Sequence, residues 1–265
     1  MKIKSLLIYV LLFVGAKSVA QDYAIKQLEN SPRHHEWIKL LSNGRNLHCF
    51  VTYPESSQKA TTILLIHENR GLNEWARSMA DQLSEAGYIV VAPDLISGAN
   101  PEYEKTSDYP NTDEARNSIY SLNPEKVTQD LEAAFNYAKS IPSSNGKVAL
   151  MGFCWGGGQT FQYASQQEHL AAALVFYGTG PGDETSYQNI KTPVYGFYGG
   201  ADERVNATIP ASEESMRKYK KSFDYEIYEG AGHAYMRAGD DPNGSPENIA
   251  ARNKSWERLK KILNN

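Results

Sequence analysis

The sequence predicts an α/β fold, a mainly parallel central sheet with helices on both faces, in a single domain. Three observations carry this. Apolar runs such as Thr62–Ile66 are continuous rather than alternating, as expected of strands covered on both faces. They alternate with amphipathic stretches, the order of parallel strands joined by crossover helices. The run Val148–Met151 enters the turn Gly152-Phe153-Cys154-Trp155-Gly156, which opens a helix. An apolar strand, a glycine, one reactive residue, a second glycine and a helix make the layout of a nucleophile elbow.

Taken in order, residues 1–20 read as a secretory leader. Lys2 and Lys4 precede the short apolar run Leu6–Val14, and Ser18-Val19-Ala20 sets small residues before a cut at Gln21. The run is too short to span a bilayer comfortably, so an exported protein, periplasmic or secreted, is expected. Residues 21–46 read as a lead-in and first edge strand, with Asp22–Arg33 as loose polar chain. Glu36–Leu41 and Leu47–Tyr53 read as a hairpin turned at Ser42-Asn43-Gly44. Residues 47–265 then hold the main domain. Its strands are expected at Thr62–Ile66, Tyr88–Ala92, Val148–Met151, Ala171–Tyr177, Val194–Tyr198 and Tyr225–Tyr228. Its helices are expected at Glu74–Glu85, Glu125–Ser140, after the elbow, at Ile209–Lys221 and at Pro246–Leu263. The polar stretch Ile96–Asn123 reads as an excursion with at most a short helix, a wall or cap for a site.

Composition narrows the function. The 265 residues carry a formal charge of −4, and the leader holds three lysines and no acid, so the chain without it is near −7. That balance gives no footprint for nucleic acid or an anionic membrane. Two cysteines, Cys49 and Cys154, make no disulfide framework, although in an oxidising compartment they could pair. Cys49 lies in a strand-like run and reads as a core residue. His34-His35 has no metal-ligand spacing around it. Gly156-Gly157-Gly158 lacks the lysine or acid of a phosphate or dinucleotide loop, so neither metal nor cofactor is implied.

In sheets of this kind reactive residues follow the C-terminal ends of strands. Four do so here: Glu68 after Ile63–Ile66, Cys154 after Val148–Met151, Asp202 after Val194–Tyr198 and His233 after Tyr225–Tyr228. Cys154 begins a helix whose unpaired N–H groups favour a thiolate and, later, an oxyanion. The order nucleophile, acid, histidine allows His233 to take the thiol proton while Asp202 orients the imidazole.

With these motifs the chain resembles the dienelactone hydrolase family, a branch of the α/β hydrolases with a Cys–His–Asp triad. The likeness runs from about Leu47 to Trp256 and is densest at His67–Leu72, Asp130–Ala134, Gly152–Gly157, Gly199–Asp202 and Gly230–His233. It implies an α/β-hydrolase fold and a carboxylic-ester or lactone hydrolase for a small, carboxylate-bearing substrate, with no cofactor. It also implies that Glu68 contacts the thiol and helps activate it when substrate arrives. The backbone N–H groups of Trp155 and Asn69 would form the oxyanion hole. Arg237, four residues after His233, would hold a substrate carboxylate with Arg116 and Tyr120, which share one helical face. Arg70 reads as a third cation or a partner for Glu68, His67 as a support for its loop, and the Trp155 ring as core or pocket wall. A monomer or weak dimer is expected. The rival readings are a catalytically silent binding protein for an exported small ligand and, less suited to a cysteine beside Glu68, a peptidase.

Overall fold

The computed structural model describes residues 19–264, so the leader expected at 1–20 lies outside the described residues except for its last two. The stretch read as loose lead-in is instead largely a helix, α1 (Val19–Asn30). It is followed by the hairpin β1 (His35–Ser42) and β2 (Arg45–Thr52). Asn43 and Gly44 turn the hairpin with φ of 53° and 71°, the left-handed pair whose twist matches the strands.

The alternating part comprises β3 (Ala60–Ile66), α2 (Glu74–Glu85), β4 (Ile89–Pro93), α3 (Thr112–Tyr120) and α4 (Pro124–Ser140). It continues through β5 (Ser144–Phe153), α5 (Trp155–Tyr163), β6 (Ala172–Phe176), α6 (Glu184–Asn189), β7 (Val194–Gly199) and α7 (Glu203–Asn206). The chain closes with α8 (Ile209–Lys218), β8 (Phe223–Tyr228), α9 (Tyr235–Ala238) and α10 (Pro246–Leu263). The excursion holds α3 and a 3-10 turn at Thr106–Asp108. Asparagines cap three helices through their side-chain oxygens: Asn73 for α2, Asn111 for α3 and Asn123 for α4.

The eight strands form one sheet in the order β1-β2-β4-β3-β5-β6-β7-β8. Only β1 with β2 and β2 with β4 pair antiparallel. The continuous apolar runs are explained by two cores. Ile63 and Leu65 face one with Val90, Met151 and Phe153, beneath α2 and α10. Leu64 and Ile66 face the other with Val91, Val148 and Leu150, beneath α4. Cys49 lies in the second core, fully buried, where burial pushes its thiol well above the ordinary range; both cysteines are free.

A buried carboxylate explains why α1 is ordered. Asp81, in α2, has no exposed side-chain surface and accepts from Arg33 (2.7 and 2.8 Å), Ser31 (2.5 Å) and Gln27 (2.6 Å). His35 Nε2 lies 2.7 Å from the same carboxylate. Burial alone would push this carboxyl up, but its partners outweigh that and hold it well below the carboxylate range. The contribution is therefore present above the unfolded value near 4 and lost only in stronger acid. Removing the anion leaves Arg33, itself 7% exposed, with only the exposed Glu85 at 3.8 Å as an ion partner. We expect Asp81→Ala to destabilise the fold by about 3–5 kcal/mol at neutral pH, read as a lowered urea midpoint, with loss of hydrogen-exchange protection over α1.

Candidate active site

The site begins with a backbone constraint. Cys154 lies between β5 and α5 with φ 55° and ψ −116°, a conformation costing about 1–3 kcal/mol in a residue with a side chain. Its amide donates to Phe176 O at 3.0 Å, locking the turn to β6. The flanking glycines are sterically required. A Cβ on Gly152 would lie 2.2 Å from Gly156 O, and one on Gly156 would lie 2.3 Å from His67 O. The elbow is thereby pressed against the end of β3, where the Glu68 loop starts.

Two further loops bring their side chains to the sulfur. His233 Nε2 is 3.1 Å from Cys154 Sγ, and His233 Nδ1 is 2.5 Å from Asp202 Oδ2. The loops carrying them are lashed together: Gly200 donates to Tyr228 O at 2.7 Å and Ala201 to Ala231 O at 2.9 Å. The hydrogen bond with the sulfur does most to raise the His233 pKa; burial opposes it and Asp202 adds to it. The result is about 9.

Glu68 is buried, and both its oxygens are held by side chains other than Cys154. One oxygen accepts from Arg237 Nε at 2.9 Å and the other from Tyr177 Oη at 3.3 Å. The side chain expected to bind substrate carboxylate therefore holds a carboxylate of the protein itself. His67, fully buried, fixes the loop: its Nδ1 donates to Glu68 O at 2.7 Å and its Nε2 accepts from Leu95 N at 3.3 Å. Burial lowers its pKa, in keeping with that neutral tautomer. Thr106 Oγ1 accepts from Leu72 N at 2.9 Å and donates to Asp94 at 2.8 Å, tying the same loop to the excursion.

The Trp155 ring stacks on His67 with centroids 5.6 Å apart and planes 17° apart, so it both supports the loop and forms a wall. Its N–H lies in the first turn of α5, where no intrahelical acceptor exists. The Asn69 side chain donates to Tyr120 Oη at 3.1 Å, joining the Glu68 loop to α3. Arg116 and Tyr120 face the site together, although Arg116 also pairs with Asp113 at 3.0 Å.

Cys154 opens onto two cavities. One, of about 440 Å³, runs along α5 past Trp155, Gln159 and Thr179. The other, of about 510 Å³, contains Glu68, Arg70, Arg116, Arg204, His233 and Arg237. Tyr177 and Arg204, which also line these cavities, are among the residues that escaped the sequence reading. Tyr177, fully buried, follows β6 with φ 39° and sets its ring edge-on to His233, 5.2 Å between centroids. Its place just past a strand end was the available signal. Arg204 stands two residues after Asp202, in α7, and had no signal beyond that adjacency.

The family model described as the dienelactone hydrolase family matches residues 47–265. The chain belongs to the dienelactone hydrolase family. A protein of Saccharolobus solfataricus described as "Putative carboxymethylenebutenolidase" is 29% identical over 260 residues, covering 84% of this chain and 95% of that one. One of the same description from Methylorubrum extorquens is 31% identical over 210 residues, covering 75% and 71%. The crystal structure of a Klebsiella pneumoniae protein described as "Putative Dienelactone Hydrolase" superposes with a TM-score of 0.75 at 20% identity, over 87% of this chain and 98% of that one. The fold is that of the α/β hydrolases, with a mixed, mostly parallel eight-stranded sheet.

Because two acceptors raise the His233 pKa, removing either must lower it. In NMR titrations of the imidazole we expect His233 to titrate near 9 in the native protein. Asp202→Asn should titrate at lower pH, and Cys154→Ala lower still. A native value near 6.5 would contradict the geometry.

Proposed function

We propose that this member of the dienelactone hydrolase family cleaves an ester or lactone bond of a small, carboxylate-bearing substrate, with Cys154 as nucleophile. The observation that supports it is the unbroken run from Cys154 Sγ through His233 to Asp202. An imidazolium persisting to about pH 9 keeps its proton on Nε2 at neutral pH, facing the sulfur. The sulfur electron pair attacks the carbonyl carbon, and the oxyanion that forms turns to the N–H groups of Trp155 and Asn69. Each such donor is typically worth about 10²–10³ in rate. When the C–O bond breaks, the leaving oxygen takes the Nε2 proton and a thioester on Cys154 remains. Water, giving its proton to Nε2, then displaces the sulfur and releases the acid.

Glu68 and Arg237 connect this chemistry to substrate binding. A substrate carboxylate arriving at Arg237 competes with Glu68 for the guanidinium, the more so beside Arg116 and Tyr120. Glu68 displaced from Arg237 would be free to turn toward the sulfur. Tyr177, donating to the other Glu68 oxygen, holds the carboxylate in the site meanwhile.

Turnover of p-nitrophenyl acetate tests the reading. The native enzyme should release nitrophenol and stop on alkylation of one thiol by iodoacetamide, since Cys49 is fully buried. Cys154→Ala should lose more than about a thousandfold in kcat/KM. Undiminished turnover by Cys154→Ala, or no ester turnover by the native protein, would overturn it.

A further inference from the structure

The cavity of about 510 Å³ holds more positive charge than one substrate carboxylate needs. Arg70, Arg116, Arg204 and Arg237 all line it. Two carboxylates pair with this set: Glu68 with Arg237, and Asp113, which is largely exposed, with Arg116. Among the described residues neither Arg70 nor Arg204 has an ion pair. Arg70 is half-buried, and burial and the nearby Arg237 disfavour its charge more than the nearby Glu68 favours it. Such guanidiniums crowd together at a cost unless an anion is to be bound. The contrast with the acidic chain, −4 overall, makes the crowding more telling.

The arrangement has a direction. Arg70, Arg116 and Arg237 line the cationic cavity, whereas Arg204 also lines the cavity of about 440 Å³ beside α5. Cys154 likewise opens onto both. The Arg204 side chain is exposed, but its backbone stands close to the relay, because α7 begins at Asp202, which binds His233 and also accepts from Val205 N at 3.4 Å. An acyl carbon at Cys154 thus has one cationic group on the side of the three arginines and another where Arg204 spans the two cavities.

We propose that the substrate is a dianion, with an anionic group on each side of the scissile acyl bond, and that Arg204 is the specificity-determining residue for the second group. The proposal rests on the hydrolase reading above. A carboxylate and a phosphate or phosphonate share the chemistry, since a planar guanidinium fork binds either in bidentate fashion. A neutral ester would use the same nucleophile without engaging either anion site.

The test compares matched activated esters on one enzyme preparation. The neutral ester is p-nitrophenyl butyrate, and the singly anionic ester is p-nitrophenyl hemisuccinate. The dianionic ester is 3-carboxy-4-nitrophenyl hemisuccinate, and p-nitrophenyl 3-phosphonopropionate serves as the phosphonate arm. The native enzyme should prefer the dianionic ester over the neutral one in kcat/KM, with the preference shrinking as salt is added. Arg204→Gln should reduce the dianionic-to-neutral ratio about 10- to 100-fold, mostly through KM, and Arg204→Lys should restore part of it. The relative rates of the singly anionic hemisuccinate and the phosphonate assign the acyl-side group as carboxylate or phosphonate. A ratio unchanged by Arg204→Gln, or turnover of all esters without charge preference, would overturn the dianion proposal while leaving the hydrolase reading intact. Turnover of none of the esters would end both.

Discussion

The structure depends on how closely one turn approaches its neighbours. Gly152 and Gly156 let the chain reverse at Cys154 within van der Waals distance of its own helix and of His67 O. That approach fixes the sulfur at the mouth of the sheet and sets the start of α5 beside it. It also aligns the β3 end, so that the Glu68–Asn69–Arg70 loop lines the same cavity as Cys154. A side chain at either glycine would have to move backbone, which is costly in a packed interior. The strained φ of Cys154 is held by the amide bond to β6 and the surrounding sheet rather than by its own preference.

Around that fixed point the electrostatics divide into two parts. Within the relay, sulfur, imidazole and Asp202 favour a proton on His233, and burial reduces the effect without reversing it. Around the mouth, four guanidiniums face a pair of carboxylates, and one of those, Glu68, is itself bound by an arginine. Under the proposed reaction a substrate anion competes with Glu68 for the same donors, which couples binding to the position of that carboxylate through Arg237.

Much of this was legible in the sequence, for reasons that can be stated. Continuous apolar runs such as Thr62–Ile66 report burial on both sheet faces, and four of the six expected strands placed one chemical residue just beyond their ends. Cys154, Asp202 and His233 were read in that way, and the structure brings their side chains into contact in series. The order of α1 was not legible, because it comes from distant contacts: Asp81, about fifty residues away, holds Gln27 and Ser31, and Ala24 and Leu28 pack into the core that α2 also covers. The pairing of Glu68 with Arg237 joins residues 169 positions apart, beyond any local pattern. Tyr177 and Arg204 matter through where loops carry them, which only the assembled sheet reveals.

The central claim is that acyl transfer passes through the Cys154 sulfur, and a direct measurement is to trap the intermediate. The enzyme would be mixed with an activated ester, quenched in acid within one turnover and digested for peptide mass spectrometry. The account predicts an acyl mass on the peptide containing Cys154, rising in the burst and decaying as substrate is exhausted. Acylation of another residue, or steady turnover with no acyl group on Cys154 at any time, would contradict it.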